Sequence, residues 1–194
     1  MRVCFVPSGR THDRLTLWLL PAVAAGSWLI SRQSDLSLVL SGSYLFAGLM
    51  FGPDLDVRSR QSQRWGPLRW IWTPYQRCLR HRSWFSHGPL LGTIGRVLYL
   101  GAWLLLLVLV IETAIAIGQG GNWAGLGDRL SQHQQWIGTE LSRRPALVLA
   151  TLVGLELGAM SHSFSDWVGS AWKRWRRPRK TTRRRPAASR SSRT

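Results

Sequence analysis

Residues 97–118, VLYLGAWLLLLVLVIETAIAIG, hold one charged side chain, Glu112, and are apolar on every face of any helix they could form. A run of that length crosses a ~30 Å hydrocarbon layer, and a helix that is hydrophobic all round has no face to give to water. It predicts a transmembrane helix. Three shorter runs of the same character accompany it: 15–31, interrupted by Pro21; 36–53, free of charge; and 145–161, containing Glu156. The break between the first two is short, which predicts an antiparallel hairpin. Ser41, Gly42, Ser43, Ala47 and Gly48 in the second run predict close helix packing in lipid. The Ala-Val-Ala at 22–24 resembles a signal-peptidase site, but the preceding LTLWLL is short and another apolar segment follows, so an uncleaved membrane segment is expected. The expected fold is all-α: one helical membrane domain over residues 1–172, with about four transmembrane or membrane-embedded helices.

Charge and tryptophan argue the same way. Twelve Trp and a net charge of +17 point away from a soluble cytosolic enzyme and toward a membrane interface, where Trp anchors and basic loops collect. The stretch 173–194 carries eleven of the twenty-six basic residues and no acid, leaving fifteen basic against nine acidic residues elsewhere. Its Arg, Ser, Pro and Thr content predicts a disordered tail. Because the Arg cluster follows directly after Trp167, Trp172 and Trp175, anionic membrane lipid is the expected partner; nucleic acid or a protein is the alternative. Seven Arg between Arg58 and Arg82 interleave with Trp65, Trp70, Trp72, Tyr75 and Trp84, a pattern suited to lying on a headgroup surface. If the four runs span, the basic N-terminus, the 53–89 segment and the basic tail share one side. The positive-inside rule makes that side cytoplasmic.

Four of the five histidines and four of the nine acids fall on this one face: His12, Asp13, Asp54, Asp56, His81, His87, His162 and Asp166. In a PDLD turn read as extended chain, Asp54 and Asp56 point the same way and reach one cation. His87 precedes Gly88 and Pro89, read as a turn into a helix that starts at the proline and sets His87 beside a helix N-terminus. His162 and Asp166 form HxxxD, which shares a helix face if the fourth helix continues past Ser161. A His/Asp set without Cys suits Zn, Mn, Fe or Ni. Cys4 and Cys78 are not in a CxxC pair and are expected to be passive. Ser86 reads as a helix cap rather than a nucleophile. Glu112 and Glu156 are costly inside apolar runs, hence functional candidates or hydrogen-bonded acids.

The segments SGRTHDRLTLW, GLMFGPDLDVRSRQSQRWGPLRWIWTPYQRCLRHRSWFSHGPLLGT and GAMSHSFSDW resemble, in that order, an uncharacterised bacterial family of metal-binding membrane proteins, itself similar to inner-membrane-associated metal-dependent hydrolases. The resemblance covers about residues 8–168. It implies a helical membrane protein with metal ligands at His12, Asp54, Asp56, His81, His87, His162 and Asp166, and it leaves substrate unassigned. The expectation is a divalent-metal protein of the bacterial inner membrane, with both termini cytoplasmic. A hydrolase acting on an anionic or lipid-like substrate is expected first, and a non-catalytic adaptor with a structural metal second. A transporter would place its ligands at the bilayer midplane, where only Glu112 and Glu156 are available.

Overall fold

The computed structural model describes residues 9–79 and 83–176, without the side chains of residues 9, 10, 166 and 169–176. Helix α1 (Gly9–Ser31) runs through Pro21 and turns back at Arg32, whose φ of 54° is left-handed, into α2 (Ser34–Leu49). Across this hairpin Ser37 donates to the Ala24 carbonyl at 3.0 Å and meets the Ser27 hydroxyl at 2.8 Å. The chain then forms a 3₁₀ turn (Pro53–Asp56), short α3 (Arg60–Gln63), a second 3₁₀ segment (Gly66–Ile71), α4 (Trp72–Cys78) and α5 (Trp84–His87). Three long helices follow: α6 (Leu91–Gly118), α7 (Trp123–Arg143) and α8 (Pro145–Arg176).

The closest packing is between α2 and α8, and glycine makes it. A Cβ on Gly154 would stand 2.3 Å from the Leu40 carbonyl oxygen, and one on Gly158 2.3 Å from that of Tyr44 and 2.7 Å from Ala47 Cβ. Backbone meets backbone there, the small-xxx-small mode of helix association. Helix α1 packs beside α2 with the same device, since a Cβ on Gly48 would lie 2.4 Å from Thr16 Cγ2. Gly42, the other expected contact glycine, faces open space.

The 51–79 segment does not simply lie on a surface. Phe51, Leu55, Ile71, Trp72 and Tyr75 are buried with Ala47 and Leu155 in the apolar core. Trp72 is fully enclosed, with Trp65 edge-on at 5.1 Å and Phe51 at 5.8 Å. The Arg/Trp pattern thus divides: part of its aromatics turn inward and cap one end of the α1, α2, α8 bundle. Trp70 and Leu68 remain exposed.

The polar stretch after the apolar α6 is helical too. Gly120 and Gly121, at φ 74° and 85°, make a left-handed turn, and the Asn122 side chain caps α7 by accepting from Gly125 N at 3.0 Å. Glu112 of α6 is held there by Arg129 Nε at 2.5 Å and His133 Nε2 at 2.9 Å. An acid within an apolar run is thus satisfied by its neighbour helix.

Among the described residues, four helical segments are long and apolar enough to cross a membrane: Thr11–Ser31, Ser34–Asp56, Leu91–Gly118 and Pro145–Ser165. Only 11 % of the most apolar stretch of α6 is buried, and Leu104, Leu105, Leu106 and Leu107 are all exposed. So large an apolar surface on a water-soluble protein would demand a partner.

The α2/α8 contact gives the first prediction. Gly158→Val should lower stability in detergent by about 1–3 kcal/mol, read as an earlier thermal unfolding transition, whereas Gly42→Val, with nothing within 4 Å of its Cβ, should barely move it.

Candidate metal centre

The site lies where the bundle meets its cap. Pro53 suits the first position of a helical turn, and the fully buried Leu55 anchors the turn in the core, so Asp54 and Asp56 flank an apolar pin. This backbone is a 3₁₀ turn, not the extended chain expected; crowding by Leu55 against Trp72 and Phe51 winds it. Two further elements lock it. Ser59 Oγ donates to the Asp54 carbonyl at 2.8 Å, and Gln76 Nε2 of α4 donates to the Leu55 and Val57 carbonyls, each at 3.1 Å.

Three helices bring imidazoles to this turn. His162 on α8 is 3 % exposed, and its Nε2 stands 3.1 Å from Asp54 Oδ2 but out of line for a hydrogen bond. The other Asp54 oxygen is 3.7 Å from His87 Nε2, and Asp56 Oδ2 is 3.7 Å from His87 Nδ1. His12 of α1, 4 % exposed, stacks on His162 with ring centroids 3.9 Å apart. Outer groups orient these rings. Ser165 Oγ touches His12 Nδ1 and donates to the His162 carbonyl at 2.8 Å, bridging the two stacked histidines. Gln61 Nε2 donates to the Gly48 carbonyl at 3.0 Å and lies 3.5 Å from His162 Nδ1. Ser86 Oγ is 2.9 Å from His87 Nδ1.

Asp13 belongs to the wall of the site rather than its donors. Arg64 grips it with two nitrogens, at 2.9 and 2.7 Å, and Arg60 adds a third contact at 3.2 Å, tying α1 to α3. A cavity of about 20 Å³ lies among His12, Asp13, Asp54, Gln61 and His162. That is room for one ion or one water. The donor chemistry, the cavity and the misaligned His162–Asp54 pair fit a cation. Among the described residues, however, no three His, Cys, Asp or Glu side chains are arranged to hold an ion as they stand, so the donors would have to draw together around it.

The chain belongs to the uncharacterized metal-binding protein family DUF2227. The match runs over residues 7–176, which takes in every described element of the site. An uncharacterized protein of Aquifex aeolicus (strain VF5) is 41 % identical over 58 residues, 29 % of this chain. The chain spans 40 % of that relative's length. No solved structure matches.

Within this member of the family, the structure brings together His12, Asp54, Asp56, His87 and His162. His81 lies outside the described residues, and so does the Asp166 side chain, although α8 does continue past Ser161 and carries position 166 one turn beyond His162. The helix after His87 begins at Leu91 rather than at the proline: Pro89 sits in the turn, and Leu90 at φ 61° precedes the helix. The start of α6 still packs against α5, with a Cβ on Gly92 2.7 Å from the Ser86 carbonyl oxygen. Glu156 is taken up at that junction, accepting from Leu90 N at 3.0 Å. Ser86 is not a cap either, since it sits inside α5, fully buried against His87.

One residue that supports the site was not singled out in the sequence. Arg96 on α6 is 1 % exposed and donates to the Ser86 carbonyl at 2.9 Å and to Thr93 Oγ1 at 3.0 Å. Tyr75, Glu156 and Asp56 are its electrostatic neighbours, and burial pushes the Tyr75 phenol above its usual value, keeping it a neutral hydroxyl. The available signal was a lone Arg at the head of an apolar run, which reads equally as an interfacial flank. Arg96→Leu should destabilise the fold by about 3 kcal/mol, measured by thermal or denaturant unfolding, because it leaves buried Asp56 and half-buried Glu156 without this nearby cation.

Proposed function

We propose that the protein is a metal-binding protein of the bacterial inner membrane, with the His/Asp cluster and both termini on the cytoplasmic side. The observation that carries the reading is the convergence of His12, His87 and His162 from three separate helices on one Asp-bearing turn. Four helices of spanning length and the exposed leucines of α6 support the membrane setting. We assign the metal to His12, Asp54, Asp56, His81, His87, His162 and Asp166. The set suits Zn, Mn, Fe or Ni.

The chemistry such an ion supplies is a bound water of lowered pKa and a clamp on substrate oxygens, the basis of metal-assisted hydrolysis. The chain's own groups then have plain duties. Ser165, Gln61 and Ser86 orient the imidazoles, and Arg60 and Arg64 keep Asp13 out of the donor set. Hydrolysis of such a substrate is the first reading. A second is favoured by the cavity itself: about 20 Å³ admits an ion but no substrate, as in a structural metal that fastens the helices, with the Arg-rich tail recruiting lipid, nucleic acid or protein.

Two measurements separate them. Elemental analysis of detergent-purified protein should find about one or two equivalents of transition metal, lost in His87→Ala/His162→Ala; no metal in the wild type after reconstitution would sink the proposal. On the metal-loaded protein, chelator-sensitive turnover of generic phosphate and carboxylate esters supports the hydrolase. A fall in the unfolding temperature on chelation without turnover supports the structural role.

A further inference from the structure

A second cavity, of about 260 Å³, opens on the other side of α3. The single turn Arg60–Gln63 separates the two: Gln61 faces His162, whereas Ser62 and Gln63 line the larger cleft with Arg58, Arg69, Trp70 and Thr73. None of the metal donors lines it, and no acidic residue does. The acids near this end are already engaged, Asp13 by Arg60 and Arg64, and Asp54 by His87 and His162. Among the described residues, therefore, the Arg58 and Arg69 guanidiniums share a concave site with no carboxylate to neutralise them.

Their neighbours have free hydrogen-bonding capacity. Among the described residues neither the Thr73 hydroxyl nor the Gln63 amide makes a side-chain hydrogen bond, while Gln76 gives its amide nitrogen to the turn beneath and so holds the floor. Two planar, permanently charged forks with neutral donors beside them match the several oxygens of a phosphate group better than the two of a carboxylate. The cleft is too large for a bare ion and sized for a phosphate with a small organic residue. Its rim continues that logic. Trp70 is exposed on one side and meets Trp103 of the apolar helix α6 edge-on at 5.1 Å on the other.

We infer that the Arg58/Arg69 cleft is a binding site for a phosphate monoester or diester, either a phospholipid headgroup or a soluble organophosphate. The site is independent of the metal reading, because it uses none of the metal donors.

The test uses the full chain in phosphatidylcholine nanodiscs with chelator present. Glycerol 3-phosphate is titrated in one arm, and discs doped with phosphatidic acid are examined by native mass spectrometry for retained lipid in the other. Saturable binding is expected in at least one arm: the first alone identifies a soluble ligand, the second alone a lipid headgroup. Arg58→Gln/Arg69→Gln should weaken binding by about tenfold or more, and Thr73→Trp, which fills the cleft without altering charge, should do the same. Arg77→Gln/Arg143→Gln removes equal charge elsewhere and should change affinity by less than about twofold. Equal loss in both double variants, full binding by Thr73→Trp, or no saturable binding in either arm would overturn the assignment.

Discussion

The close crossing of α2 and α8 is the constraint on which the rest depends. Gly154 and Gly158 let α8 approach until its face meets the carbonyls of Leu40 and Tyr44, and the same contact sets the height of His162 one turn farther on. Because α2 feeds directly into the Pro53–Asp56 turn, a helix pair fixed by glycine also fixes the distance between an imidazole and the carboxylate it faces. If these helices span a membrane, as we propose, this is the contact that matters, since burying more leucine there would gain nothing over leucine against acyl chains.

Beneath the bundle, the aromatic cap supplies the second layer of rigidity. Trp72, Tyr75 and Phe51 share the core with Leu55, and Leu55 anchors the single turn that carries both aspartates. Arg96 then closes the rear of the site by taking the Ser86 carbonyl beside His87 and neutralising the acids that burial would otherwise penalise. The imidazoles are thus oriented by hydroxyls and an amide, while charge balance comes from a guanidinium on another helix. That division of labour is common in metal sites, where outer groups set ring orientation as firmly as the ligands set affinity.

Around α3 one helical turn serves two faces. Gln61 looks toward the histidines, while Ser62 and Gln63 look toward a basic cleft. Arg60 and Arg64 on this turn are spent on Asp13, which ties the N-terminal helix to the cap and leaves Arg58 and Arg69 as the uncompensated cations. The positive charge of the 58–69 stretch is therefore split between a structural clamp and an open site.

The apolar runs marked α1, α2, α6 and α8 but not the polar α7, because side chains at 97–118 leave no polar face for any other environment whereas those at 123–143 do; and the clustering of His and Asp marked His12, Asp54, Asp56, His87 and His162, which the structure brings together. The sequence was silent on the means. It showed PDLD as two neighbouring carboxylates, but the 3₁₀ winding came from Leu55 being drawn into a core whose other members lie as far away as Leu155. It showed Trp and Arg alternating from 58 to 82, but which tryptophans turn inward depended on that same core. Arg96, Gln61 and Ser165 could not be told from ordinary flanking or helical residues, since their roles consist of contacts with partners 10, 101 and 153 positions away. Local composition determines which segments leave water and which atoms can bind a cation. Only packing between distant segments decides which of those atoms face one another, because separation along the chain carries no information about the angle at which two helices cross.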